Sequence, residues 1–288
     1  MTGSSPRRVW LLAGPPFDVE LYRGVRPRLA ATRPDLAVEV VSVVEAARGG
    51  GWADSAAHLA ERVSEGDVVA AHGLAVPVGI ALDAALSACG STLGALVLVN
   101  GPLVQLDGLA AALVRLARVP GAAHSAFLPR PWLGWLRSSA GLRRAVNNPY
   151  AMDRDTVAAL CGPLVADAAR RASLVAWLVS LAEAWPSAAG VTAPLTLLWG
   201  DNDVLHPLGE VDSISGIRGN GQVHLAPGGR FAWPEEMPWR FADVVAALAP
   251  PPTPAPSSLG GTTTGVSRMA DPEGSPPSAG SLNSKVGP

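Results

Sequence analysis

What this sequence lacks narrows its class before any motif does. Cysteine occurs twice in 288 residues, at Cys89 and Cys161, far apart and each in an apolar helical stretch. Such usage excludes a disulfide framework and predicts two reduced, buried thiols. No stretch approaches the ~18 uncharged apolar residues that a membrane-spanning helix needs. Arg7-Arg8 does precede an apolar run, Val9-Trp10-Leu11-Leu12-Ala13, but the run is short, and Asp18 and Glu20 follow it at once. A strand, not an export signal, is the better reading. Charge of one sign is missing too: the net charge is -2 and the basic residues are scattered. That argues against nucleic acid as a partner. The histidines and carboxylates show no metal-ligand spacing, so neither a metal nor another cofactor is expected. The default expectation is a cytoplasmic protein with no membrane partner.

Apolar residues are what the chain has in quantity. They make up 48% of it, and the mean hydropathy is +0.25, enough for a substantial core. Residues 8–13 run apolar up to Gly14-Pro15-Pro16, as a strand buried on both faces does. Leu21, Val25 and Leu29 then recur at helical spacing. Residues 38–44 are rich in β-branched side chains and read as a second strand. Asp54 or Ser55 can cap a helix that carries Ala56, Leu59, Ala60 and Val63 on one face. Val68-Val69-Ala70-Ala71-His72 reads as a third strand. It ends in a turn of small residues around Gly73, and an apolar helix follows with Pro77 in its first turn. Residues 93–99 form a fourth strand. This alternation predicts the α/β class, a mostly parallel sheet with helices on both faces.

Beyond residue 102 the alternation stops. Helices are expected over 106–118, 131–144, 154–160 and 164–185, a region that also gathers Trp132, Trp135, Trp177 and Trp185. A helical insertion after a sheet strand reads either as a lid or as extra packing helices. Residues 195–199 and 222–226 supply two more strands, and Phe241, Val244, Val245 and Leu248 mark a final helix. From Pro250 the composition turns to Pro, Ser, Gly and Thr, which predicts a disordered tail or, for its Pro-rich start, a polyproline II ligand. The expected organisation is a core in two parts, 1–102 and 191–249, a helical cap over 103–190, and the tail over 250–288.

Three segments make the sequence similar to the alpha/beta-hydrolase superfamily, a resemblance that covers residues 8–249. Val69-Ala70-Ala71-His72-Gly73-Leu74-Ala75 resembles that family's strand, nucleophile elbow and helix, whose pattern is G-x-S-x-G. Leu197-Leu198-Trp199-Gly200-Asp201-Asn202-Asp203 resembles the strand end that carries the acidic member of the triad, which implies Asp203 for that role. Ala226-Pro227-Gly228-Gly229-Arg230-Phe231 resembles the segment that carries the catalytic histidine, and the position is held by Arg230. The nucleophile position is held by Gly73. Ala13-Gly14 stands where such families often have His-Gly.

These departures bear directly on chemistry. Triad hydrolysis needs a side-chain nucleophile and a base that takes its proton. Glycine offers no such group. Arginine stays protonated, with a pKa above ~12, and cannot serve as the base. Glycine does suit the turn, since a residue without Cβ adopts the strained elbow backbone readily.

His72, Asn100, Asp203, His206 and Arg230 all fall at or just beyond strand C-termini, the edge where parallel sheets bind ligands. Arg230 either pairs with Asp203 or faces an anionic or carbonyl-bearing ligand. His72 reads as a packed core histidine, with a base role as the alternative. The candidate binding residues are His72, Leu74, Asn100 and Arg230. The functional expectation is a non-hydrolytic protein of this fold that binds a small apolar or carbonyl-bearing molecule, or acts as a scaffold. One alternative is a lyase, isomerase or cyclase working in the same pocket. Another is an ordinary esterase-type hydrolase, which requires His72, Ser87 or Cys89 in place of the missing nucleophile.

Overall fold

A computed structural model of the chain describes residues 7–249 except 104, 107, 187, 210 and 212–220, so the expected tail over 250–288 lies outside the described residues. The strands are β1 (Arg8–Ala13), β2 (Ala37–Ser42), β3 (Val68–His72), β4 (Ala95–Val99), β5 (Leu195–Gly200) and β6 (Gln222–Ala226). They form one parallel sheet in the order β2-β1-β3-β4-β5-β6. Nearly every residue of β1, β3, β4 and β5 is buried, which is why those strands read as unbroken apolar runs. β2 and β6 are the edges and are partly exposed.

The first helices are α1 (Val25–Thr32), α2 (Val43–Ala46), α3 (Trp52–Ala60) and α4 (Val76–Ala88). The helix expected from Leu21, Val25 and Leu29 is two pieces. A 3-10 turn over Val19–Tyr22, whose first N–H is bonded by the Asp18 carboxylate at 2.9 Å, precedes α1, and Gly24 stands between them. α3 begins earlier than a cap at Asp54 or Ser55 implies. The Asp54 carboxylate reaches back to the Gly51 N–H at 2.7 Å, and the Ser55 hydroxyl donates to the Val43 carbonyl instead. Cys161 is buried as expected, while Cys89 caps the end of α4 and is exposed.

Between β4 and β5 the chain is helical, with α5 (Gly108–Ala117), α6 (Pro129–Leu136), α7 (Arg154–Cys161) and α8 (Ala168–Ser180). Two of these are shorter than expected. The Ser138 hydroxyl bonds the Trp135 carbonyl and the Ala140 N–H, which turns the chain out of α6 before residue 144. Asp167 caps α8 by accepting from the Arg170 N–H at 2.8 Å, so Leu164 lies in a separate 3-10 turn. Trp132 and Trp177 are fully buried, and the Trp177 indole donates to Ser55 Oγ at 3.0 Å, fixing α8 to α3. The insertion therefore packs as part of the same compact unit as the sheet. After β6 come α9 (Trp233–Glu236) and α10 (Pro238–Leu248). Among the described residues no helix is long and apolar enough to cross a membrane.

Candidate functional site

The sheet brings the sequence-predicted residues to one edge. β3 ends at His72, and Gly73 follows in a sharp turn into α4. Gly73 has φ +59, the left-handed backbone that side chains other than glycine adopt with strain. The loop after β1 presses against this turn. A Cβ on Gly14 would meet the Ala75 nitrogen at 2.2 Å, so only glycine allows that approach. The same loop has few free amides. Pro15 and Pro16 carry no N–H, and those of Phe17 and Asp18 are bonded to the Gly14 and Leu160 carbonyls at 3.2 and 2.8 Å. An oxyanion hole of the elbow type takes one donor from the residue after the nucleophile, here Leu74, and one from such a loop.

The space above Gly73 is occupied by an aromatic ring. A Cβ built on Gly73 would lie 2.9 Å from Phe231 Cζ and 3.2 Å from Cε2. Phe231 is 2% exposed and packs on Phe17, His72 and His206, with ring centroids 5.5, 4.7 and 5.3 Å away. His72 is fully buried, and its Nε2 lies 2.7 Å from the Phe231 carbonyl. A carbonyl only accepts, so Nε2 carries the proton, and Nδ1 has no partner. Burial lowers His72 to a pKa of about 4, against the bond to the Phe231 carbonyl, which raises it. Burial lowers His206 as well, to about 3, with the neighbouring His72 adding to the effect. Both rings are thus neutral in the fold. His72 is the packed histidine of the sequence reading. Phe231 as the residue that covers the turn is not visible in a motif, because the contact joins positions 73 and 231 through two loops.

The acidic corner is held by a network of hydrogen bonds. Asp203 follows β5 and accepts from Asn100 Nδ2 at 2.6 Å and from the Leu205 N–H at 2.8 Å. Burial raises its pKa to about 6, against these donors, the His206 amide and the Arg230 charge, all of which lower it. Asn100 directly follows β4 at φ +37 and is the hub of this corner. Besides Asp203, it takes the Gly200 N–H at 3.2 Å and the Trp233 indole at 2.8 Å on its oxygen. Asn100, expected from sequence as a binding residue, is fully buried, and these bonds all run inward. Leu74 is likewise buried at 3% exposure.

Arg230 corrects a second expectation. It makes no ion pair with Asp203 among the described residues. Its Nη1 reaches the Arg144 carbonyl at 3.4 Å, and its Nε is buried without a partner. Its charge still lowers the pKa of both Asp203 and Glu236, so it lies between two carboxylates without bonding either. Ser87 and Cys89 lie at the far end of α4, away from the turn, and neither replaces Gly73 there. Among the described residues no three His, Cys, Asp or Glu side chains converge to hold a metal ion.

A parallel sheet in this strand order, a sharp turn from β3 into a helix, an acid after β5 and a helical insertion before it define the alpha/beta-hydrolase fold. No family model matches the sequence, and no curated protein matches it. Solved structures do. A thermophilic esterase from Thermogutta terrifontis is similar at 16% identity, over 84% of this chain and 88% of its own, with a TM-score of 0.61. Epoxide hydrolase CorEH is similar at 14% identity, over 85% and 92%, with a TM-score of 0.61. Haloalkane dehalogenase DbeA from Bradyrhizobium elkani is similar at 15% identity, over 85% and 91%, with a TM-score of 0.60. At these identities the likeness is one of fold.

Proposed function

We propose that this chain is a non-hydrolytic protein of the alpha/beta-hydrolase fold, a scaffold whose former reaction site has been packed shut. One observation carries the reading: the Phe231 ring stands 2.9 Å from where a Gly73 side chain would begin. A serine there would press on the ring, and the ring stands where a substrate would lie. The arginine at position 230, the proline-interrupted loop after β1 and the neutral, sealed histidines point the same way. Between the two roles expected from sequence, ligand binding at the elbow and scaffolding, the filled apex favours scaffolding. The retained Asp203–Asn100–Trp233 network is then a structural clamp on the ends of β4 and β5.

Fluorophosphonate labelling of the full-length protein tests this reading. The expected result is no labelled serine, in the wild type and also in the double variant Gly73→Ser/Arg230→His, because Phe231 still covers the turn. A labelled wild-type serine would overturn the reading. So would labelling of the double variant, which would show that the apex is open.

A further inference from the structure

Space that is missing above Gly73 is present at the end of the edge strand β2. Two cavities, of about 260 and about 300 Å³, are both lined by Glu45 and Arg48. None of their lining residues belongs to the cluster around Gly73. The first has an apolar floor of Val44, Pro163 and Leu164, so it lies where the helical insertion meets α2. The second is walled in part by Ser42, whose hydroxyl is buried without a hydrogen-bond partner. A buried hydroxyl of that kind calls for a ligand or a water.

The charges around these cavities do not cancel. Arg170 and Glu45 form an ion pair at 3.0 Å and neutralise each other. Arg62 lies over the Trp10 ring at 5.0 Å. Arg48 is different. Among the described residues its guanidinium has no ion pair, hydrogen bond or aromatic partner. Its backbone sits at φ +51, and Asn100 is the only other non-glycine residue described at positive φ. Arg48 is exposed, so its guanidinium stands free at the rim of both cavities, on a left-handed backbone that packing alone does not require.

We infer that this cleft binds an amphipathic carboxylate. The carboxylate sits on the Arg48 guanidinium, and the alkyl chain lies on Val44, Pro163 and Leu164. The planar guanidinium fork matches a carboxylate in a bidentate pair. Val44 and Leu164 are already 4% and 2% exposed, so the floor gives the chain van der Waals contact and only a small further apolar burial. The inference goes beyond the scaffold reading and does not depend on it, because the two concern different strand ends.

Thermal unfolding of the full-length chain tests it, with sodium octanoate, octan-1-ol and inorganic phosphate as probes. Saturating octanoate is expected to raise the midpoint by roughly 5 °C. Octanol, which lacks the charge, and phosphate, which lacks the chain, are expected to shift it by less than about 1 °C. Arg48→Gly removes the guanidinium and keeps the turn, since glycine accepts positive φ. That variant is expected to fold and to lose the octanoate response, and Arg48→Lys to keep part of it. No shift with octanoate in the wild type would overturn the proposal. So would an equal shift in Arg48→Gly, an octanol shift as large (simple partitioning) or a phosphate shift as large (a bare anion site).

Discussion

The ends of β3 and β2 lie on the same edge of one sheet and have opposite fates. After β3, Gly73 at φ +59 has a phenyl ring against it, and every neighbour is buried. After β2 and α2, Arg48 at φ +51 has a cavity on either side. Gly73 follows its strand directly, while Arg48 follows α2, and both have a left-handed backbone. What separates them is which side chain arrives from elsewhere. Phe231 comes over the first from the loop after β6, whereas across the second the insertion brings Pro163, Leu164, Arg170 and Ser173, which line the space without filling it. The fold makes the edge available. The loops decide whether a position on it is a site or part of the core.

Removing the ring is the severest challenge to that comparison. Phe231→Ala is expected to cost about 3–5 kcal/mol of stability in urea unfolding, as loss of a buried aromatic does. Gly73→Ser alone is expected to cost about 1–3 kcal/mol, from the crowding against Phe231 and the positive φ. The double variant should cost less than the sum, because truncating the ring removes the crowding. Strict additivity would mean that the ring and the turn do not touch.

Acid is the next challenge, and its sign follows from two buried histidines set against the carboxylates Asp203 and Glu236. His72 and His206 have folded pKa values of about 4 and about 3, below the ordinary 6.5. The unfolded chain takes up their protons first, so stability falls as the pH drops below 6.5. Asp203 acts the other way. Its folded value of about 6 lies above the ordinary 3.8, so acidification through that window adds stability. The two histidines outweigh Asp203, and Glu236, also raised by burial, opposes them further, so stability at pH 5 should be about 1–2 kcal/mol lower than at pH 7. Asp203→Asn, which removes the opposing group, should deepen the fall. An apex open to water would let both histidines titrate near their ordinary value, and the fall would vanish.

The smallest effect belongs to the open end. Arg48→Gly relieves the left-handed backbone but loosens the unfolded chain, and it should change stability by no more than about 0.5 kcal/mol. A loss of several times that would mean that Arg48 is packed, as Phe231 is.

Much of the fold was legible in the sequence because it is written in local patterns. All six strands could be read from apolar or β-branched runs, and the elbow from the small residues around Gly73. The misreadings were local competitions that periodicity does not register. Asp167 caps α8 late, and Ser138 turns the chain out of α6. The site was legible only in part. Gly73, Asp203 and Arg230 were found at their strand ends. An Asp203–Arg230 pair was a fair expectation from two opposite charges on one edge. It does not form because Asn100 and the Leu205 amide take the carboxylate. The role of Phe231 depends on a contact across 158 positions, which no local pattern encodes. The cleft at Arg48 is likewise made by segments far apart in the chain, α2 and the turn before α8.

The central claim is that the apex does no hydrolysis. Turnover of p-nitrophenyl acetate and butyrate by the purified full-length protein, measured beside Asp203→Asn, tests it most directly. The prediction is one common rate for both proteins, no faster than an inert protein surface gives. Reproducible turnover by the wild type that Asp203→Asn abolishes would contradict it.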